Sequence, residues 1–423
     1  MRTPAEFDEI RPYDPEEVPA VVDSLLTDEE FCAIIRQLMP QIPFDTLTAQ
    51  LRQCPDALTI QKKFCYPLIK QNAAQCADSL SMDSAAITAE GQPYTFVSNH
   101  RDIVLDSAYL AVLLIDNGFG NTVEIAIGDN LLAKPWIKTF VRLNKSFIVQ
   151  RGISMREILV SSQRLSKYIH YAATTKRENI WIAQREGRAK DSDDRTQDAI
   201  LKMLTMGGEG NIVDRLKELH IVPTALSYEY DPCDWLKAQE FQAKRDNPNY
   251  KKTKQNDLDN MQTGIFGYKG NVRFTTAPCI NDWLNNLPAD MPKTEIYTRI
   301  AQHIDREIHR NYTLYPGNFV AADLLLERHP QSATAEKARN IVELLRTYPL
   351  PTTTSLTVDK DAAAPFSRNY TAENRARFEN YIQKQLEKIV QPDANFTFLE
   401  ERILTMYANP MLNHISALIH EEA

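Results

Sequence analysis

Long apolar runs are lacking in this sequence. The longest, such as Ala108–Ile115, are far too short to cross a bilayer, which requires about 20 apolar residues in a helix. The N-terminal stretch MRTPAEFDEIRPYDPEEVPA is acidic and has no apolar core, so we expect no secretory signal peptide there. These absences predict a cytoplasmic protein that would contact a membrane only peripherally.

Paired cysteines are also lacking. The chain has six cysteines, with no C-x-x-C pair and no ligand-like spacing to histidine: Cys32, Cys54, Cys65, Cys76, Cys233 and Cys279. We therefore expect buried free thiols in a reducing compartment rather than disulfides, and no cysteine-based metal centre.

A net positive charge is lacking as well. The formal charge is −8, which argues against a nucleic-acid partner. Positive charge is nevertheless concentrated between Lys134 and Lys190, where 13 Lys and Arg stand against three acids, a local balance of +10. Such a segment favours an anionic small substrate or a lipid head group, although about half of these side chains could simply form solvated helix faces.

The order of predicted elements indicates an α/β protein, with a parallel or mixed sheet wrapped by helices. Residues 1–90 are predicted to be mostly helical, and Thr27–Leu38 begins with a capping-box pattern of Thr27 and Glu30. Short β-rich runs then alternate with helical stretches, and the C-terminal part is helical again. We therefore predict a helical N-terminal region (1–90), an α/β domain (91–285) and a helical C-terminal region (286–423). The very polar stretch Lys237–Asp257 is predicted to be an excursion or flexible loop, and Pro351–Phe366 a linker or irregular crossing.

The stretch FVSNHRDIVLDSAYL (Phe96–Leu110) carries the first candidate chemistry. A short apolar run ends at Ser98 and delivers His100 to the C-terminal end of a predicted strand, where ligands bind in open α/β sheets. A carboxylate nearby can fix the tautomer of the imidazole and stabilise its protonated form, as a general base requires. The alternative is a loop or helix-capping histidine with no chemical role.

Three later stretches lie at the ends of predicted strands, and two of them carry charged side chains. NKSFIVQR ends in Arg151, WIAQREGRAK contains Glu186, Gly187, Arg188 and Lys190, and IVP opens a strand at Val222. An arginine at a strand end suits a phosphate, because its fork makes two charge-assisted hydrogen bonds.

Together the four stretches resemble the four sequence blocks of the glycerol-3-phosphate and 1-acylglycerol-3-phosphate acyltransferase superfamily, over roughly residues 90–282. The family's first block is H-x4-D, whereas His100 and Asp106 are one residue farther apart, so either Asp106 or Asp102 could support the imidazole. Asp106 is preferred because the following helix places it where the family has its aspartate. In the third block, usually EGTRS or EGGRS, Arg188 comes one residue early and Lys190 is expected to share its role.

The resemblance implies an acyltransferase-type mixed sheet with helical extensions, in a soluble or peripheral bacterial enzyme of phospholipid synthesis. It would move a fatty acyl group from acyl-CoA or acyl-carrier protein to a hydroxyl of glycerol-3-phosphate or 1-acylglycerol-3-phosphate. His100 would be the base and Asp106 its support. The residues expected to bind substrate are Arg101, Lys145, Arg151, Glu186, Gly187, Arg188 and Lys190. No metal or organic cofactor is implied, and beyond donor and acceptor the expected partner is an anionic membrane, contacted weakly.

Two alternatives stay open at this point. The off-pattern first and third blocks also fit acylation of an amino-acid head group in aminolipid synthesis, and a non-catalytic lipid-binding protein could share the fold. Other motif families do not fit: His100-Arg101-Asp102 lacks the remaining protein-kinase signatures, Gly118-Phe119-Gly120 lacks the third glycine of a dinucleotide turn, and no G-x-S-x-G elbow is present. Nothing in the sequence locates a groove for the acyl chain.

Overall fold

A seven-stranded mixed sheet forms the centre of the part of the chain described by the computed structural model, residues 2–132, 134–152 and 154–419. In chain order the strands are β1 (Ser79–Asp83), β2 (Thr95–Ser98), β3 (Val123–Gly128), β4 (Ser146–Val149), β5 (Asn179–Ala183), β6 (Ile221–Tyr228) and β7 (Asn271–Thr276). Their order across the sheet is β1-β7-β6-β2-β5-β3-β4. The five strands from β6 to β4 are mutually parallel, whereas β7 runs antiparallel to β6 and β1 pairs parallel with β7.

The predicted α/β class is confirmed, with one strand that the sequence analysis missed. Ser79–Asp83 lies in the N-terminal region predicted to be helical, yet it becomes an edge strand of the sheet. Its sequence SLSMD is short and only partly buried, so it lacks the long apolar run by which the central strands were identified. The boundaries at 90 and 285 stay predictions.

Successive side chains of the strands bury on opposite faces of the sheet, as the pleat requires. In β2, Phe96 packs on one face with the helix that follows His100, while Val97 packs on the other. In β5, Trp181 joins the Phe96 face, and Ile180 and Ile182 join the Val97 face. Both faces are covered, which explains why the central strands are almost uniformly apolar.

Helices cover both faces and both ends. Before the sheet they are α1 (Val18–Leu25), α2 (Glu29–Leu38), α3 (Phe44–Arg52), α4 (Ala57–Ile60) and α5 (Tyr66–Cys76), with a π-helical turn at Gln61–Cys65 between the last two. Within the sheet region they are α6 (Leu105–Asp116), α7 (Pro135–Leu143), α8 (Met155–Tyr171), α9 (Asp198–Leu204), α10 (Ile212–Glu218), α11 (Asp234–Asp246) and α12 (Lys254–Phe266). After the sheet come α13 (Asn281–Leu284), α14 (Lys293–Arg310), α15 (Pro316–Arg328), α16 (Ala333–Thr347), α17 (Ala372–Glu387) and α18 (Phe396–Ile419).

Two predictions about local structure were wrong. The N-cap of α2 is Asp28, whose carboxylate accepts a hydrogen bond from the Phe31 amide at 3.0 Å, so Thr27 does not form the predicted capping box. The stretch Lys237–Asp257 is not a flexible loop, because most of it lies in α11 and the start of α12. Within α11, Lys237, Glu240 and Gln242 are buried and have polar partners, which composition alone could not reveal.

The C-terminal helices share a core with the sheet region. Apolar side chains of α15, α16, α17 and α18 cluster with Tyr230 and with Ala238 of α11, while Ile300 and Ile304 of α14 pack beneath the sheet. Pro351–Phe366 has no regular element, as predicted for a linker. Across the described residues, no helix is both long enough and apolar enough to span a bilayer.

Candidate active site

Asn99 controls where the chain leaves the sheet. Its side chain is fully buried and forms the hydrogen bonds to β6 that a backbone residue would otherwise form at the end of β2. Nδ2 donates to the Leu226 carbonyl at 2.9 Å, and Oδ1 accepts from the Leu226 amide at 2.8 Å. The pairing with β6 is thereby continued by a side chain while the backbone turns away. His100 consequently leaves the carboxyl edge of the sheet, where parallel α/β proteins bind ligands.

Asp106, in the first turn of α6, holds His100. The His100 Nδ1 lies 2.7 Å from the Asp106 Oδ2, which also accepts hydrogen bonds from the amides of Arg101 at 2.6 Å and Asp102 at 3.1 Å. The other oxygen, Oδ1, accepts a hydrogen bond from the Tyr228 hydroxyl at 2.9 Å. A carboxylate surrounded by donors must accept from Nδ1 as well, so Nδ1 carries the proton and Nε2 is left as the base.

Asp102, the alternative support for His100, has another role. Its Oδ1 accepts hydrogen bonds from the amides of Val104 at 2.9 Å and Leu105 at 2.8 Å, which are free donors at the start of α6. Burial, and then the Asp106 carboxylate beside it, raises the pKa of Asp102. The structure places Asp106, as preferred from the sequence, against the imidazole.

Trp181 completes the setting of His100, and the sequence analysis did not single it out. The indole meets the imidazole edge to face, with ring centroids 5.4 Å apart, and its Nε1 donates to the Ser98 Oγ at 3.0 Å. The tryptophan belongs to the same strand as the third block, three residues before its Gln184. A large aromatic residue in a central strand beside a candidate base was the signal that could have found it.

His100 opens onto a cavity of about 1380 Å³, with 14% of its side chain exposed. Sites for small ligands usually measure roughly 300–1,000 Å³, so this cavity can hold two substrates or one long one. One part is apolar and follows a single face of α6 from its first turn to its last: Leu105, Ala108, Ala111, Val112 and Ile115. Because ten residues of helix rise about 15 Å, this part is a channel of about that length leading away from His100.

The walls and floor of this apolar channel (the part of the cavity along α6) come partly from the N-terminal helices. Leu68 and Ile69 of α5 line it, so the helical N-terminal region contributes to the cavity. The far end of the channel is polar: the Thr122 hydroxyl donates to the Gln61 Oε1 at 2.5 Å, and Gln61 Nε2 donates to the Asn144 Oδ1 at 3.0 Å.

The opposite part of the cavity is cationic. Its basic lining residues follow β4 and β5 or lie near the α11–α12 junction: Arg151, Arg185, Arg188, Lys190, Lys244, Lys252 and Lys254. Arg151 follows β4, is about one third exposed, and has its Nη1 3.5 Å from the Glu186 Oε1. Gly187 lies between the two charged side chains of its loop with φ 69°, a left-handed conformation that glycine adopts without strain.

Arg188 lines the cationic part and has one buried donor without a partner among the described residues. Its side chain is only 9% exposed, its Nη2 donates to the Asn260 Oδ1 at 3.0 Å, and its buried Nη1 has no hydrogen-bond partner among the described residues. A buried guanidinium nitrogen without an acceptor is costly, and an anionic ligand would supply one. Lys190 pairs with Glu240, and burial lowers the pKa of Lys190 to about 8.

Two predicted substrate-binding residues are not among those that line the cavity. Arg101 turns its guanidinium to Asp194, and both side chains are 3% exposed. Lys145 lies at the amino edge of the sheet, before β4, where its Nζ contacts the Glu178 Oε2 at 2.7 Å. A basic residue beside a motif can form an internal ion pair as readily as it binds a ligand, and these two residues form such pairs. The cavity brings together His100, Arg151, Glu186, Gly187, Arg188 and Lys190.

Comparison with known proteins leaves the chain without an assigned family. No model of a known family matches it, and no curated protein does so significantly. Among the described residues, no cluster of three His, Cys, Asp or Glu side chains is arranged to hold a metal ion. The geometry of the cavity is therefore the evidence for what the protein does.

Proposed function

We propose that this protein is an acyltransferase that moves a fatty acyl group from a thioester to a hydroxyl of a glycerol-phosphate-type acceptor. The observation that carries the proposal is the position of the His100–Asp106 pair, between an apolar channel on one side and the partnerless Nη1 of Arg188 on the other. An acyl chain fits the first environment and a phosphate the second. The bond to be made would then lie at the imidazole.

In this mechanism, His100 Nε2 takes the proton from the acceptor hydroxyl as its oxygen attacks the thioester carbonyl carbon. Asp106 stabilises the imidazolium through the Nδ1 hydrogen bond. Collapse of the tetrahedral intermediate breaks the carbon–sulfur bond, and the imidazolium returns its proton to the departing thiolate. General-base assistance of this kind contributes about 10²–10⁴-fold in rate.

Contact with a membrane is part of the proposal, since the acceptor or product carries an acyl chain. Leu38, Leu258 and Phe266 line the cavity and are 46%, 48% and 65% exposed. Exposed apolar side chains beside lysines are typical of surfaces that touch anionic lipid.

One observation favours a second candidate acceptor, an amino-acid head group. Glu186 lies beside Arg151, so the cationic part of the cavity also offers a carboxylate. A zwitterion would place its carboxylate on an arginine and its ammonium on Glu186. Transfer to its amine or hydroxyl could use the same base.

The deciding experiment is product analysis by mass spectrometry, with purified protein, an acyl thioester and a panel of acceptors. We expect an acylated glycerol phosphate, lost in His100→Ala and retained in the control His303→Ala, whose imidazole stacks on Trp283 instead. Asp106→Asn should cost more activity than Asp102→Asn. Transfer by a folded His100→Ala variant at the wild-type rate would refute the role of His100 as the base. Failure of the wild-type protein to acylate any acceptor would favour a lipid-binding protein.

A further inference from the structure

Arg101, the residue after the candidate base, is held at three points. Its amide donates to Asp106, its carbonyl accepts from the Lys237 Nζ at 3.2 Å, and its guanidinium Nη1 donates to the Asp194 Oδ1 at 2.8 Å. The Lys237 side chain is 1% exposed. Both peptide groups that flank Arg101 are thereby fixed, and the peptide before it belongs to His100.

The side chains that hold Arg101 are themselves connected to the C-terminal helices. The Asp194 carbonyl lies 2.7 Å from the Nε2 of His309, on α14. Lys237 pairs with Asp231, whose amide donates to the Tyr407 hydroxyl of α18 at 3.0 Å. The loop that carries His100 is therefore connected, through buried charged groups, to helices more than 200 residues further along the sequence.

Two buried ion pairs beside one loop are poorly explained by stability alone. Withdrawing charges from water costs several kcal/mol per ion, and apolar replacements are often as stable or more so. What ion pairs with directed hydrogen bonds provide is a defined geometry. A misplacement of about 1 Å in a reacting group can reduce a rate about 10²-fold.

We propose that Arg101 and Lys237 are positioning residues, which fix the peptides around His100 and couple the catalytic base to the C-terminal helices. This inference rests on the proposed function. It replaces the substrate-binding role predicted for Arg101, and it makes the C-terminal region part of the apparatus that holds the base.

The test is the double variant Lys237→Met/Asp231→Asn, which removes both charges of one pair together and leaves neither buried alone. We expect kcat to fall about 10- to 100-fold, with the acceptor and donor KM values within twofold of wild type. The second variant, Arg101→Lys, keeps the charge and the main-chain contacts but loses the fork, and should show a smaller loss of kcat.

A matched control is the pair Lys176→Met/Glu124→Gln, which removes another buried ion pair, between β3 and the turn after α8. It should change the midpoint of thermal unfolding about as much as Lys237→Met/Asp231→Asn does, while leaving kcat unchanged. A kcat loss as large in the control as in Lys237→Met/Asp231→Asn would show that stability alone is responsible, and would overturn the proposal.

A readout independent of turnover is the ¹⁵N NMR signature of His100, identified by its absence in His100→Gln. Wild type should show one tautomer, protonated at Nδ1, and Lys237→Met/Asp231→Asn a mixture or exchange broadening. An unchanged signature would overturn the positioning role even if activity falls. If wild type acylates no acceptor, the proposed function fails, while the signature still decides whether Lys237 orders the imidazole.

Discussion

At the scale of single residues, the unused Nη1 of Arg188 is the feature most closely linked to a ligand. Burial removes the water that would otherwise satisfy it, and Asn260 occupies only the other nitrogen. Arg151, by contrast, is partly exposed and already near Glu186. The two arginines should therefore contribute unequally.

Arg188→Ala should raise the KM for a phosphate-bearing acceptor roughly 10- to 150-fold, which corresponds to the loss of about 1.5–3 kcal/mol from a charge-assisted contact. Arg151→Ala should raise it less, since solvent screens an exposed charge. Steady-state kinetics with glycerol-3-phosphate and lysophosphatidate measures both effects. Arg299→Ala, at an exposed pair on α14, is the control. Acceptor KM values equal to wild type in both arginine variants would remove the phosphate-binding role and favour the amino-acid acceptor.

At the scale of elements, the largely apolar and buried helix α6 performs two tasks. Its first turn supplies Asp106 to the base, and one face along its length lines the apolar channel. Alanines at positions 108 and 111 leave space where larger residues would pack against β3 and α7. The volume of these side chains should therefore set the length of acyl chain that fits.

Ala111→Phe should shift the preference toward shorter acyl thioesters, because the ring would occupy the channel midway along its length of about 15 Å. An extended chain of roughly a dozen carbons spans that distance, because bonds of about 1.5 Å advance about 1.25 Å each along a zigzag. The measurement is kcat/KM across a series of donor lengths. Ala74→Phe, at an exposed position of α5, is the control. An unaltered chain-length profile in Ala111→Phe would mean that the acyl chain lies elsewhere.

At the scale of the whole molecule, a buried polar cluster joins the sheet region to the C-terminal helices. Asp234 is its centre: its Oδ2 accepts hydrogen bonds from the hydroxyls of Tyr381 and Tyr407, each at 2.8 Å. Burial, followed by the neighbouring Asp231 carboxylate, raises the pKa of Asp234 to about 7. This cluster should make the stability of the protein depend on pH.

The sign follows from proton linkage. An unfolded aspartate releases its proton near pH 4, so between about pH 4 and pH 7 only the folded state retains it, and folding stability falls as pH rises. Asp234→Asn cannot titrate at this position. The free energy of unfolding of the variant minus that of wild type should therefore rise with pH, by up to about 1.4 kcal/mol per pH unit in that window. Urea unfolding of both proteins at pH 5 and pH 8 measures this. A constant difference between them would show that Asp234 is ionised throughout.

The sequence by itself determined the alternation of strands and helices, the position of His100 at a strand end, and the group Arg151, Glu186, Gly187, Arg188 and Lys190. These features follow from short-range patterns: apolar periodicity, turn residues, and charges that directly follow a strand. Even the choice of Asp106 over Asp102 could be made from helix register. Each of these signals lies within a few residues of the feature it predicts.

Only the tertiary structure decided which charges face a ligand and which face each other. Arg101 and Lys145, like Arg188, are basic residues close to the end of a strand. They nevertheless form ion pairs with Asp194 and Glu178, which are distant in the chain. The channel along α6 likewise depends on α5 and α7, and Lys237, Glu240 and Gln242 of α11 are buried against distant parts of the chain. Such contacts join residues far apart in sequence, so no local pattern could predict them.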